Sequence, residues 1–372
     1  MGFRVVKIDN CPLWKRALFY VAATLIALLI GAVLLIAIGV NPLEYYLQMF
    51  TLGTINNPIA YKTLMNYFKE LVPLALTSVA LSLAFKMRFW NIGGEGQFIV
   101  GAIAATFVAF KAGPVLPEFV TLILMCLAAM VCAGLYGLAA GALKVKFGTS
   151  ETLMTLMMNY IALYVLYFIG ETKEPWNIFL QEESARPVFK NFSELASFAT
   201  IPIGPKFKLN VCVIFTLLIG VAIYFYLKRT KQGYEISVVG DSIGTAKYAG
   251  MKVNKIILRT VFLSAALIGL AAAFKVGSAG VLSTAITDDV GWTGIIVAWL
   301  SQLNTGLIFL VSCLISVLQH GSTVAAATFA KVDSSFANML QGVILFLVLA
   351  ADFYTRFRIV RVKKEKGEEN NG

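Results

Sequence analysis

Charge and histidine are what this chain has least of. Of its 372 residues only 14% are Asp, Glu, Lys or Arg, and histidine occurs once, at His320. One imidazole leaves no cluster from which to build a metal site or a catalytic triad, so catalysis of the ordinary kind is not expected. No Gly-Lys dipeptide occurs anywhere. That removes the phosphate-cradling Gly-x-x-x-x-Gly-Lys-Ser/Thr loop, and with it ATP hydrolysis by this chain alone. The five cysteines, Cys11, Cys126, Cys132, Cys212 and Cys313, contain no Cys-x-x-Cys pair. Four of them lie in apolar runs and read as small core residues rather than as a disulfide framework or metal site.

What is abundant is apolar sequence. The chain is 59% hydrophobic, with a mean hydropathy of +0.79, the composition of a polytopic membrane protein rather than of a soluble or disordered one. The first run, Ala17 to Val40, is 24 uncharged residues, longer than a signal-peptide core, and reads as a retained span. Further runs lie near 71–85, 93–110, 119–142, 152–170, 209–227, 259–275, 291–303, 305–320 and 334–351. They predict an all-α fold of about ten transmembrane helices in a single domain over residues 1–372. The runs at 71–85 and 291–303 fall short of the roughly 20 residues that a perpendicular helix needs, which predicts broken or half-spanning helices there.

With the N-terminus placed inside, the inner segments hold 21 of the 31 Lys and Arg residues. Basic residues are retained on the cytoplasmic side, so both termini are expected there. The net charge of +11 is then a topology signal, and nucleic acid is not an expected partner. The basic tail from Arg356 reads first as part of that topology signal, with contact to anionic lipid headgroups as the second reading. Two loops are long enough to carry a role. The outer loop, 171–208, has prolines at 175, 187, 202 and 205 and no sustained apolar period, and reads as an irregular cap. In the inner loop, 228–258, Asp241 or Ser242 offers an N-cap for a short helix over Ile243 to Tyr248, with Gly250 as its stop.

An internal repeat is legible. The order of apolar run, Phe-Lys, glycine-containing break and Gly-rich half span occurs as Ser82 to Gly101 and again as Leu267 to Leu300, and Lys146 to Ser150 is similar to Lys331 to Ser335. The copies, 71–170 and 259–351, are five spans apart, so they are predicted to face opposite sides of the membrane, with a translocation path at their shared midplane. Two stripes of small residues, Ala133, Gly137 and Gly141, and Ala265, Gly269 and Ala273, recur every fourth position and predict close helix packing.

The densest polar stretch inside apolar sequence is Asn91-Ile92-Gly93-Gly94-Glu95-Gly96-Gln97. An ionisable residue in a membrane segment costs roughly 2.5 to 3.5 kcal/mol on insertion scales and is retained where it serves a pathway. Glycines let the backbone unwind or approach a partner closely. Two readings stay open: Glu95 lines or gates a path with Asn91 and Gln97, or it complements the dipole of its own helix. Asn159, in the fifth span, either bonds a neighbouring helix or faces a polar solute. No run of intramembrane acids and histidines offers a proton relay. Asp288-Asp289 is expected to cap the half helix that follows it.

These stretches carry a family resemblance. Asn91 to Gln97, Glu151 to Tyr160 (Glu-Thr-Leu-Met-Thr-Leu-Met-Met-Asn-Tyr), Lys247 to Met251, and Gly291 to Ala298 (Gly-Trp-Thr-Gly-Ile-Ile-Val-Ala) look like recurring segments of bacterial ABC-importer permeases of the ribose and branched-chain amino acid type, in the simple sugar and nucleoside branch. The resemblance covers about residues 60 to 350. It implies a non-enzymatic, multi-pass subunit in the bacterial cytoplasmic membrane that imports a small polar solute, a nucleoside or simple sugar. It also implies a second permease subunit, paired cytoplasmic ATPases and an extracytoplasmic solute-binding protein, often a lipoprotein. Under the resemblance, Asp241, Ile243, Ala246, Tyr248, Ala249, Gly250 and Met251 form a coupling helix on the ATPase, and Trp292 and Thr293 join Asn91, Glu95, Gln97 and Asn159 along the solute pathway. The chain departs from the family at Thr293, where Asp is frequent, and at Asn304-Thr305, where Asn-Pro is frequent. An ion-coupled secondary transporter or channel is the alternative, and its sign would be paired intramembrane carboxylates.

Overall fold

The structure, a computed structural model, describes residues 2–7, 12–55, 57, 59–204, 206–329, 331–332 and 335–362. Cys11, positions 333–334 of the second copy of the repeat motif, and the tail beyond 362 lie outside the described residues. In chain order the elements are β1 (Gly2–Lys7), α1 (Leu13–Ile38), α2 (Pro42–Phe50), α3 (Ala60–Lys86), α4 (Gly94–Ala112), α5 (Glu118–Phe147), α6 (Glu151–Glu171), β2 (Thr200–Pro202), β3 (Lys208–Asn210) and α7 (Cys212–Arg229). There follow α8 (Lys231–Asp241), α9 (Ile243–Tyr248), α10 (Val253–Ala279), α11 (Val290–Leu300), α12 (Thr305–Thr328), α13 (Ser335–Arg356) and β4 (Phe357–Val362).

Among the described residues, nine helices are long and apolar enough to cross a membrane, and α11 is a shorter apolar helix. The segment at 291–303 is therefore short, as the sequence predicts. The one at 71–85 is not: it is the end of α3, which runs for 27 residues. Lys62, Lys69 and Glu70 interrupt the apolar run without breaking the helix, and Pro73 is carried inside it. A scan for apolarity misses helical turns that are polar but contain no breaker. The membrane helices tolerate such a proline because neighbouring groups can satisfy the freed backbone.

The chain falls into two compact units, residues 1–53 with 321–372, and residues 54–320. In the first, α1 lies along α13, where the Tyr20 hydroxyl donates to Asp352 at 2.7 Å. Tyr45 is fully buried and meets the Phe336 ring edge-on at 5.4 Å. Antiparallel pairing of β1 with β4, from Gly2 opposite Val362 to Lys7 opposite Phe357, brings the two ends of the described chain together.

In the second unit α3, α4, α5 and α10 form the core. Membrane helices associate without a hydrophobic drive between them, so backbones must come close for dispersion and weak polar contacts to hold them. The glycines supply that closeness. A Cβ at Gly137 on α5 would lie 2.4 Å from Ala265 Cβ on α10, and one at Gly269 would lie 2.2 Å from the Ala129 carbonyl oxygen. The two stripes predicted from their spacing thus face each other. The Ser264 hydroxyl donates to Ala80 O at 2.7 Å and joins α10 to α3. The loop 171–208 is irregular apart from a 3-10 turn at Glu194–Ala196 and the start of the β2–β3 pair, and it closes over the end of α10. The Phe192 and Phe198 N–H groups donate to Gly280 O at 2.8 Å and Gly277 O at 3.1 Å.

Candidate functional site

After Lys86 the chain leaves α3, turns through Arg88 at φ 57°, and enters α4 at Gly94. Gly93 provides no side-chain cap. The first N–H groups of a helix have no partner within it, so those of α4 must be satisfied from elsewhere. Asn159 on α6 does this. Its Oδ1 accepts the Gly96 N–H at 2.8 Å, and its Nδ2 donates to Ile92 O at 2.9 Å. One turn earlier on α6, the Thr155 hydroxyl accepts the Ile92 N–H at 3.2 Å. A Cβ at Gly96 would lie 3.0 Å from Asn159 Cα, which is why glycine suits that position. Asn91 and Gln97 exchange two amide hydrogen bonds of 3.1 and 3.0 Å, and Asn91 Oδ1 also accepts the Gly93 N–H at 3.1 Å. All three amides are buried, with exposures of 0% for Asn91, 2% for Gln97 and 5% for Asn159. Burial of unpaired amides would be costly, and the Asn91–Gln97 pair and the backbone bonds of Asn159 remove that cost.

Glu95 points the other way, at α11. It is 9% exposed, and its carboxylate accepts the Gly291 N–H at 2.8 Å. The N-termini of α4 and α11 converge on this one carboxylate, and both carry positive dipole ends. A Cβ at Gly291 would lie 2.4 Å from Glu95 N and 2.7 Å from Glu95 Cα, so the two helix starts touch through backbone. The cap expected from Asp288-Asp289 does not form. Both residues are left-handed, at φ 44° and 57°, and Asp289 makes no cap hydrogen bond. Asp288 is instead held by Lys275 at 2.7 Å. The α11 cap comes from a helix 196 positions away in sequence.

Of the four polar residues read from the sequence, Asn91, Gln97 and Asn159 are brought together and Glu95 joins α4 to α11, while Thr293 and Trp292, implied by the resemblance, stand apart. Thr293 is 3% exposed and its hydroxyl accepts from Gln319 Nε2 at 3.4 Å. Trp292 is 38% exposed. Sequence reading did not single out the stacked Trp90 and Trp299 rings, 5.1 Å apart, that close the linker against the end of α11. Nothing in their local pattern separates them from apolar packing.

The short helix α9 forms over Ile243–Tyr248, with Gly250 at φ 72° beyond it. The cap is Ser242, whose hydroxyl accepts the Thr245 N–H at 3.2 Å. Asp241 ends α8, a second helix that the sequence reading had not resolved. Ile243 and Tyr248 project outward, Tyr248 at 96% exposure, and Ala249 and Gly250 are exposed beside them, while Met251 is half-buried. Ala246 is fully buried, so it supports the helix rather than offering a surface. Glu235 on α8 pairs with Arg259 on α10 at 3.1 Å. A Cβ at Gly240 would lie 2.0 Å from Lys86 O. The α8–α9 segment therefore rests on the end of α3, at the start of the linker that carries Asn91.

The chain matches a family described as "Branched-chain amino acid transport system / permease component" over residues 63–349. It is 29% identical over 303 residues to the guanosine ABC transporter permease protein NupP of Bacillus subtilis, covering 80% of this chain and 83% of that protein. It is 27% identical to the glucose ABC transporter permease protein TsgB13 of Haloferax volcanii, over 94% of this chain and 91% of the other. Against the nucleoside ABC transporter permease protein NupB of Lactococcus lactis the identity is 26%, with 95% and 96% covered.

Proposed function

We propose, from the premise that the chain belongs to the branched-chain amino acid transport system permease family, that it forms the membrane path of an ATP-driven importer for a nucleoside or simple sugar. It is a multi-pass membrane permease and not itself an enzyme. ATP is hydrolysed by a separate ABC ATPase, and an extracytoplasmic binding protein delivers the solute. A second permease subunit, identical or related, completes the path. An ion-coupled mechanism finds no support in relatives that are ABC permeases.

The observation that carries this reading is the contact of the exposed α9 segment, through α8 and Gly240, with the α3 end that leads into Asn91 and Glu95. A partner can shift a conformational equilibrium only by favouring one state over another. An ATPase closing against Ile243, Tyr248 and Ala249 would do so by moving α8 against α3. The convergence of α4 and α11 on Glu95 then sets whether the two helix starts stay together or part. Asn91, Gln97 and Asn159 hold the linker in register, and Thr293 and Trp292 lie along the side of α11 that the solute passes. The pairs α3–α4 and α10–α11, each a 27-residue helix followed by a break and a second helix, support the inverted repeat of 71–170 and 259–351.

The test is uptake of labelled guanosine and glucose by proteoliposomes holding the permease, its ATPase and its binding protein. ATP-dependent uptake of one of them, lost when Tyr248→Asp prevents ATPase assembly, is the expected result. ATP-independent uptake driven by an ion gradient would end the importer reading. The arrangement in the membrane has its own check. Single cysteines at Glu182 and Gln232, in a background without the native cysteines, should react from opposite sides, Glu182→Cys from outside. If an impermeant maleimide labels both in intact cells, the placement of both termini in the cytoplasm is wrong.

A further inference from the structure

Buried hydroxyls in membrane helices ordinarily bond the carbonyl one turn back. Ser78 donates to Leu74 O at 2.6 Å, Thr106 to Ala102 O at 2.7 Å and Thr260 to Ile256 O at 2.8 Å. Four buried side chains in one region do not follow this. The Thr77, Ser312 and Ser316 hydroxyls and His320 Nε2 have no hydrogen-bond partner among the described residues. Their exposures are 0%, 0%, 1% and 6%.

These groups share a seam. On α12, positions 312, 316, 319 and 320 occupy roughly 100° of the helix at 3.6 residues per turn. On α3, Tyr67, Glu70 and Thr77 occupy roughly 80° by the same count. Contacts show that the two faces meet each other and α11. His320 Nδ1 bonds Glu70 Oε1 at 2.9 Å, the Tyr67 hydroxyl donates to Cys313 O at 3.2 Å, and Gln319 reaches Thr293 on α11. Thr77 lies against Gly294, where a Cβ would be 3.2 Å from Thr77 Cγ2. All of these residues belong to the unit 54–320. A natural structure leaves few buried polar groups unpaired, and four along one seam call for a partner that comes and goes.

We infer that the seam between α3 and residues 305–320 of α12, marked by Thr77, Ser312, Ser316 and the Glu70–His320 pair, is a contact site for a neutral polyhydroxylated solute. This rests on the importer reading above. Hydroxyls and an imidazole nitrogen can each donate or accept, the complement of a sugar ring whose hydroxyls do the same. The one carboxylate is already engaged by His320, so the seam offers no free charge for a phosphorylated or cationic solute. Binding sites that leave polar groups unpaired unless the right hydroxyls are present discriminate strongly against analogues lacking them. The closed seam thus corresponds to a solute-free state, and parting of α3 from α12 exposes the site.

Two measurements test this on the assembled complex with its ATPase. In a background without the native cysteines, Ser312→Cys and Ser316→Cys should react with a charged methanethiosulfonate reagent at least tenfold faster in one nucleotide state than in the other. Leu314→Cys, on an exposed apolar face of the same helix, should stay slow in both. Labelling at 312 and 316 no faster than at 314 in the nucleotide-free and vanadate-trapped states would overturn the proposal. This arm needs no solute, so it decides the seam even if guanosine and glucose uptake both fail and the importer reading falls. In the second measurement, the double variant Ser312→Ala, Ser316→Ala should lose at least tenfold of the guanosine or glucose uptake seen in the parent, with unchanged ATP hydrolysis and an unchanged or raised thermal midpoint. Parental uptake in that variant would make the hydroxyls packing only and overturn the assignment.

Discussion

Glu95→Gln should lower solute uptake per assembled complex by about tenfold or more, while expression, ATPase assembly and ATP binding stay near the parent. The carboxylate serves the starts of two helices at once. It lies in the first turn of α4 and accepts the Gly291 N–H at the start of α11. A hydrogen bond to a charged group contributes about 1.5–3 kcal/mol, against about 0.5–1.5 kcal/mol for a neutral one. A single exposed helix dipole adds only about 0.3–1 kcal/mol. Gln keeps the shape and one acceptor but loses the charge, so α4 and α11 stay folded while their attraction weakens. Any state in which the helix starts must hold together becomes less populated, which is a transport defect before it is a folding defect. Glu95→Ala removes the acceptor altogether and leaves the Gly291 N–H unpaired, at about 1–3 kcal/mol. That variant should also lower the thermal midpoint. The decisive measurement is uptake in proteoliposomes, normalised to complex. Parental uptake with Gln at 95 would reduce the residue to a helix cap and remove it from the mechanism.

Gly240→Ala should uncouple ATP hydrolysis from transport. Its Cβ would lie 2.0 Å from the Lys86 carbonyl oxygen and 3.1 Å from the Lys86 carbonyl carbon. Both are backbone atoms, so no side-chain rotation relieves the clash and α8 must move off the end of α3. Overpacking of this kind costs about 1–3 kcal/mol. The exposed face of α9 is untouched, so the ATPase should still assemble and hydrolyse ATP. Under the proposed coupling, what is lost is the rigid contact that would pass ATPase closure to the linker before α4, and uptake should fall by roughly tenfold or more. Gly244→Ala is the matched control: there a Cβ would meet only Ser242 Oγ, at 3.7 Å. Alanine inside a helix is favoured over glycine by about 0.5–1 kcal/mol, so that variant should be neutral or slightly stabilised. Equal uptake per ATP in the two variants would show that the Gly240 contact does not transmit the ATPase step.

Much of this protein was legible in one dimension. Apolar runs and small residues at every fourth position are local patterns, and each maps directly onto a helix or the side it packs with. The α5 and α10 stripes could be read separately because close packing needs small residues on both partners, and the structure adds only that they pack against each other. The helix α9 was equally readable, because a Ser cap and a glycine stop act within a few residues. The fold class and the family segments follow from the same local information.

Tertiary structure decided the pairings. That Asn159 caps α4 across 63 positions, that Glu95 rather than Asp289 caps α11, and that Gly240 rests on Lys86 are facts about which backbone ends meet in space. A carboxylate or amide in the sequence announces only that it needs partners when buried. Which partners it finds depends on where the helices cross, and three-residue or four-residue periodicity carries no record of that. The same limit hid the first turns of α3, whose polar residues are compatible with a helix but give no apolar signal. It hid the α3–α12 seam as well. Thr77, Ser312, Ser316 and His320 are unremarkable in sequence, and they stand out only when the packed helices leave them without the hydrogen bonds that buried polar groups require.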